Sequence, residues 1–420
     1  MSPPPSDALT ATVHPSRSDA PRPGAPAPLA AGTSAFRRAN LALFLGGFAT
    51  FAMLYGTQPI LPLLADAFAV SPARASLSVS AGTGALALAL IPASILSDRY
   101  GRSRVMTAAL VLAAIFATAS AFVTSFDQLL VLRALLGLAL AGVPAAAMAY
   151  LGEEIAPAAQ GRAMGLYIAG NALGGMSGRF LAALLTDWST WRIALLVLGV
   201  LGVLAALAFW RWLPRSCHFV ARSVAPRRIA RDVAAIFRDA GLPWLFVTAF
   251  LIMGAFVGLY NYLGFRLQAA PYHLGQSAVG AVFLLYLVGS FASAWSGALA
   301  DRFGRRNVLW MMLVVMAAGL ALTTADGLAV LIGGVAVFTF GYFAAHTAAS
   351  SWVGRRAAGH RALAAALYLS GYYLGSSVLG TVAGFAWSAG AWTGLVALLG
   401  ACTLASFAVA LRLYRLPPAH

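Results

Sequence analysis

The chain contains no lysine. All 28 of its basic residues are arginine, and against 12 acids they give a formal charge of +16. Charged residues make up only 10% of the chain and hydrophobic residues 61%, where soluble domains run near about 25% and 45–50%. So little charge cannot coat the two or three soluble domains that 420 residues would form, which leaves an integral membrane protein. Without lysine no Gly-x-x-x-x-Gly-Lys-Ser/Thr loop exists, so ATP bound by that loop drives nothing here. A His-rich metal cluster and a Gly-x-Ser-x-Gly elbow are also missing, which argues against a membrane enzyme. The two cysteines, Cys217 and Cys402, have no metal-ligand spacing and read as structural. No apolar core precedes about residue 40, so no cleavable signal peptide is expected.

What is present is a series of apolar runs about 20 residues long, the length of a membrane helix rather than of a barrel strand. Two of the junctions between runs are copies of one another: Ser94-Ile95-Leu96-Ser97-Asp98-Arg99-Tyr100-Gly101-Arg102 and Gly297-Ala298-Leu299-Ala300-Asp301-Arg302-Phe303-Gly304-Arg305. The copies lie 203 residues apart (98 to 301), about half the chain, which predicts two similar membrane halves. The runs predict twelve helices near 39–62, 76–97, 104–124, 128–150, 163–185 and 192–213, then 243–264, 277–299, 307–325, 327–351, 362–386 and 392–414. The expected organisation is a disordered cytoplasmic tail (1–38), a first half (39–213), a cytoplasmic linker (214–242), a second half (243–414) and a short tail (415–420). Arginines cluster at alternate turns, around Arg99–Arg104, Arg302–Arg306 and Arg355–Arg361. That is the positive-inside pattern; it assigns both termini and the linker to the cytoplasm and accounts for the charge without nucleic acid. Ile229, Val233, Ile236 and Phe237 make the linker an amphipathic helix expected on the inner leaflet.

This layout, with Asp-Arg-x-Gly-Arg after the second and eighth helices, resembles the major facilitator superfamily, and within it the drug–proton antiporter-like branch. Arg133 and Gly137 match the Arg-x-x-x-Gly of its proton-linked members, with Leu136 in place of the usual Gln. The run Gly170-Asn171-Ala172-Leu173-Gly174-Gly175-Met176-Ser177-Gly178-Arg179 falls where such antiporters carry Gly-Pro-x-x-Gly-Gly, without the proline. Runs around Tyr55…Gln58-Pro59-Ile60-Leu61-Pro62 and Phe343-Ala344-Ala345-His346 are similar to members of the branch. The resemblance implies a twelve-helix all-α membrane fold, efflux of a small organic solute coupled to protons, no cofactor or metal, and a monomer in the lipid bilayer. It also implies a latch: Asp98 reaching the start of helix eleven near Arg361, and Asp301 the start of helix five near Arg162.

The residues themselves point to several sites. In the repeated loops, Asp98, Arg99, Gly101 and Arg102, and Asp301, Arg302, Gly304 and Arg305, form the gating motif. A carboxylate at a helix C-terminus needs a partner, either Arg102 or the start of another helix. On helix five Tyr167, Asn171, Gly175 and Arg179 share one face beside a glycine stripe, and helix eleven repeats the idea with Tyr368, Tyr372 and Ser376. Arg133 and Arg179 lie within spans, where a charge costs at least about 2.5–3.5 kcal/mol, so both need partners. His346 is the embedded group whose ordinary range spans neutral pH. Gln58 and Asn261 are the remaining cavity candidates; Tyr55, Tyr262, Tyr286 and Trp295 read first as interface anchors. Every acid falls at a helix end, loop or tail. That weakens a cationic substrate and leaves uptake of a neutral or anionic metabolite, by symport or facilitated diffusion, as the alternative. A receptor that binds without flux is a further one.

Overall fold

The computed structural model describes residues 27–219, 226–357 and 359–416. The described residues are helical apart from turns and one isolated bridge between Leu29 and Ile155. The first half holds α1 (Ser34–Tyr55), α2 (Pro72–Tyr100), α3 (Arg102–Phe122), α4 (Phe126–Glu154), α5 (Pro157–Trp188) and α6 (Trp191–Trp212). The second holds α7 (Leu242–Gln268), α8 (Gln276–Phe303), α9 (Arg305–Leu322), α10 (Leu328–Arg356), α11 (361–389) and α12 (392–414). The last two form one helical stretch broken by a turn at Gly390 and Ala391. α5 is less apolar than the other spans, because it carries glycines, Asn171 and Arg179 where they carry aliphatic residues.

Local chemistry sets the helix ends. Thr33, Ser71, Ser125 and Thr190 cap α1, α2, α4 and α6 with their hydroxyls, and Ser125 with Gln128 completes a capping box. α2 and α8 both stop at a glycine in the left-handed region, Gly101 (φ 99°) and Gly304 (φ 82°). No side chain tolerates that backbone well, so the repeated loop must carry glycine there.

Three sequence expectations change. Helix one ends at Tyr55 rather than near 62, since Pro59 and Pro62 cannot continue it. Gln58 therefore sits in the turn after α1, ahead of a short helix Leu61–Ala67. The expected 1–38 tail is shorter at its described end: α1 begins at Ser34, and Leu29 accepts from the Ala156 amide and donates to the Glu154 carbonyl. Residues 1–26, 220–225 and 417–420, which hold the rest of both tails and part of the linker, lie outside the described residues.

The halves repeat their packing. α1 lies on α5, α2 on α4 and α3 on α6; correspondingly α7 lies on α11, α8 on α10 and α9 on α12. Between halves, α2 meets α11 and α5 meets α8. One end of the bundle is rich in arginine; the other presents Arg74, Arg192 and Arg266. Among the described residues, every hydrogen bond joining the halves lies at the arginine-poor end or at mid-depth. Asp187, at the end of α5, accepts from the amides of Gln276 (3.0 Å) and Ser277 (2.8 Å) and so caps α8 of the other half. Gln276 Nε2 donates to the Pro59 carbonyl at 2.6 Å, and Ser370 and Ser377 of α11 donate to the carbonyls of Ala87 and Ser80 on α2.

Candidate functional site

At the arginine-rich end the two loops form matching but unequal networks. Arg102 binds Asp98, one turn earlier, and reaches Glu153 at the end of α4 with Nη2 at 2.8 Å. In the second half Arg305 pairs with Asp301 at 3.4 Å, and Ser351 stands where the first half has Glu153. Neither implied latch is made: Arg361 and Arg162 are exposed, and each aspartate has turned onto its own loop. The reason is local, since an i,i+4 arginine is within reach whatever the halves do. Arg99 and Arg302 stack on the aromatic rings that follow them, Tyr100 and Phe303. Glu154, buried, accepts from the His218 backbone amide and lies 2.9 Å from its Nδ1, which ties the linker to the first half.

The two intramembrane arginines have different surroundings. Arg133 gives Nε to the Ser78 carbonyl (2.9 Å), Nη1 to Met53 (2.7 Å) and Nη2 to Leu54. Met53 and Leu54 close α1, whose last carbonyls have no helical partner, so Arg133 acts as a C-terminal cap borrowed from α4. It is set apart from the other candidates.

Arg179 lies nine residues before the end of α5, 2% exposed, and it faces the other half. Its Nε donates to Gln58 Oε1 and its Nη1 to the Gly175 carbonyl, both at 2.6 Å. Its guanidinium carbon sits 4.1 Å from the Tyr55 ring centre, 4.9 Å from Tyr286 and 5.6 Å from Phe283. A guanidinium only donates, so Gln58 turns its oxygen to Arg179 and its amide nitrogen to Asn261 Oδ1, at 2.8 Å. Gln58 and Asn261 are 203 residues apart, the offset of the two loops. They join the turn after α1 to α7, one residue from each half. Arg179 corresponds to Gly380 of α11, which also packs against Asn261. The second half has no arginine at the matching place.

Inward from the plug runs a chain of rings. Tyr286 packs on Phe256, which stacks on Tyr342 at 3.8 Å. The Tyr342 hydroxyl lies 2.8 Å from that of Tyr372, whose ring is 4.8 Å from His346. His346 Nδ1 in turn lies 3.0 Å from the Tyr368 hydroxyl. The structure therefore brings together Gln58, Asn261 and Arg179, and separately His346, Tyr368 and Tyr372, with Tyr286 and Tyr342 between. Tyr167 and Asn171 border α1 at Gly47. The glycine stripe seats α5 on α1: a Cβ at Gly174 would meet the Phe48 carbonyl at 2.1 Å. Gly375 stands in the same relation to Phe250 (2.0 Å). Sequence reasoning missed Asp187 and Tyr342, and it set Tyr55 and Tyr286 aside as anchors.

Comparison with known proteins agrees with this architecture. The model of the Major Facilitator Superfamily matches residues 43–295 and 267–420. The chain belongs to that superfamily and is a multi-pass membrane transporter. It is 44% identical over 384 residues to the inner membrane transport protein YnfM of Escherichia coli K12, covering 91% of this chain and 92% of that one. With the uncharacterized transporter YybF of Bacillus subtilis 168 it shares 42% over 368 residues, 88% of this chain and 91% of the relative. Among solved structures it superposes on a bacterial homologue of the human lysosomal transporter Spinster, inward-facing and occupied. The TM-score is 0.78 at 17% identity, with 92% of this chain and all of that chain covered.

Proposed function

We propose that the protein exports a small organic solute across the cytoplasmic membrane by alternating access, in exchange for protons, as a monomer with its arginine-rich end and both termini in the cytoplasm. The observation that carries this reading is the distribution of contacts between halves. They concentrate at the arginine-poor end, around Gln58, Asn261 and Asp187, while the aspartates of the arginine-rich loops hold only their own halves. That supports a state held shut on the outer side, with no hydrogen bond between the halves on the inner side among the described residues. Rocking the halves would trade the plug for the cross-half contacts that Asp98 and Asp301 are placed to make. For the proton, the supporting groups are His346 with Tyr368, Tyr372 and Tyr342, a polar chain within the second half.

One observation favours a second reading, uptake or facilitated diffusion of a neutral or anionic metabolite. Among the described residues every Asp and Glu lies at the end of a span, in a loop or in the linker, so none offers a proton site within a span. Inside-out vesicles with an acidic interior and a pH-sensitive dye separate the two. Exchange predicts proton release when a transported compound is added, abolished by His346→Ala. Passage of a compound with no proton movement refutes exchange and leaves a facilitator.

A further inference from the structure

We infer that the site at Arg179 binds a carboxylate, so that the transported solute is a small organic acid in its anionic form. This rests on the transport reading above and specifies its substrate. Arg179 is 2% exposed and, among the described residues, has no acid within salt-bridge distance; its acceptors are a neutral amide oxygen and a backbone carbonyl. A full positive charge is thus held within the bilayer's depth by neutral groups and ring faces, which leaves it under-compensated. Arg133 makes the contrast, with all three of its nitrogens on backbone carbonyls, two of them at the open end of α1.

The geometry of the guanidinium narrows the ligand. Nε and Nη2 lie on one edge and donate in parallel, the fork that fits the two oxygens of a carboxylate. Here that edge carries a single oxygen, Gln58 Oε1 on Nε, and Nη2 has no hydrogen-bond partner among the described residues. Beside it, the rings of Tyr55 and Tyr286 lie on the guanidinium and the Tyr55 hydroxyl reaches toward Ser376 of α11, so polar groups come from both halves. A carboxylate on Nε and Nη2 takes the place of Gln58. Gln58 is also the group that holds Asn261 of the other half, so the same event loosens the plug. Substrate binding and release of the outer contact are then one exchange of acceptors on one guanidinium. The rings of Tyr55, Tyr286 and Phe283 give the acid's organic part an apolar, aromatic wall.

The test uses the purified full chain in lipid nanodiscs. Binding of monocarboxylates (acetate, butyrate, benzoate, phenylacetate) is measured by calorimetry against the matched amides and against benzylammonium. At least one carboxylate should bind about ten- to a hundredfold tighter than its amide, the worth of a charge-assisted hydrogen bond. Arg179→Gln should remove that preference, and Arg179→Lys should restore part of it. Gln58→Ala, which removes the competitor and keeps the charge, should bind the acid at least as tightly as the parent; should Arg179→Gln fail to fold, this variant and Arg179→Lys decide. Equal affinity for every acid and its amide, or a preference unchanged in Arg179→Lys and weakened in Gln58→Ala, overturns the proposal. In proteoliposomes of the same protein, flux of a neutral or cationic compound without carboxylate binding leaves transport standing and removes the substrate class. Carboxylate binding without flux of any compound removes transport and leaves the site.

Discussion

Arg133 and Arg179 are the same residue type in similarly apolar spans, and what separates them is which backbone lies within reach. Arg133 meets the C-terminal end of α1; Arg179 meets a side-chain amide and three rings. Replacing Arg133 with methionine should therefore cost stability, because it releases the carbonyls of Met53 and Leu54 at about 1–3 kcal/mol for each one left unsatisfied. Arg179→Met should cost less, since it removes an under-compensated charge. Thermal unfolding of the two purified variants checks this, and an equal loss in both would contradict the division of roles. That division was not legible in the sequence. An arginine in an apolar run announces only that it needs partners, and the partners of Arg133 come from a helix end set by Pro59, about 75 residues away in the chain (59 to 133). The Asp98 and Asp301 loops were legible because charge interrupting apolar runs has only the membrane surface to go to.

At the level of elements, the glycines of α5 and α11 set how closely these helices approach α1 and α7. Gly174→Ala and Gly375→Ala each drive a methyl into a facing carbonyl, at Phe48 and Phe250. Both should lower the yield of monodisperse protein and its melting temperature. Gly161→Ala and Gly165→Ala, with nothing within 4 Å, should be neutral or stabilising by up to about 1 kcal/mol. Solubilised yield and melting temperature across the four variants distinguish packing from conformational freedom. Periodicity exposed the stripe, but only the fold shows that it faces α1 and α7.

The start of α7 offers a pH-dependent case. Burial alone would raise the Asp239 carboxyl, but the Arg356 guanidinium at 2.5 Å and the amides of Leu242 and Gly241 outweigh it and hold it below its ordinary 3.8. A carboxyl lowered by folding contributes stability that is complete above its unfolded value and is lost as pH falls through the folded one. Asp239→Asn should therefore be less stable than the parent at neutral pH, and the gap should close only below about pH 4. A constant gap from pH 7 down to pH 3 would contradict the assignment. Asp239 was visible in the sequence as one acid in a basic linker; its partner on α10, 117 positions away, was not.

For the molecule as a whole, the twelve-helix, two-half layout followed from run length, arginine placement and one duplicated loop, because the bilayer permits few alternatives. What separates the two ends of the bundle is held in contacts such as Asp187 on the α8 amides, which join distant parts of the chain and leave no local pattern. The central claim, that the halves rock about this site, is tested most directly by paired spin-label distances in lipid. One pair sits at Asp127 and Asp326 on the arginine-poor end and one at Arg104 and Arg355 on the other, after replacement of Cys217 and Cys402 by serine. On adding a transported solute or shifting the pH, the first distance should lengthen as the second shortens. Two distances that stay fixed while flux proceeds, or that move in the same direction, would contradict the account.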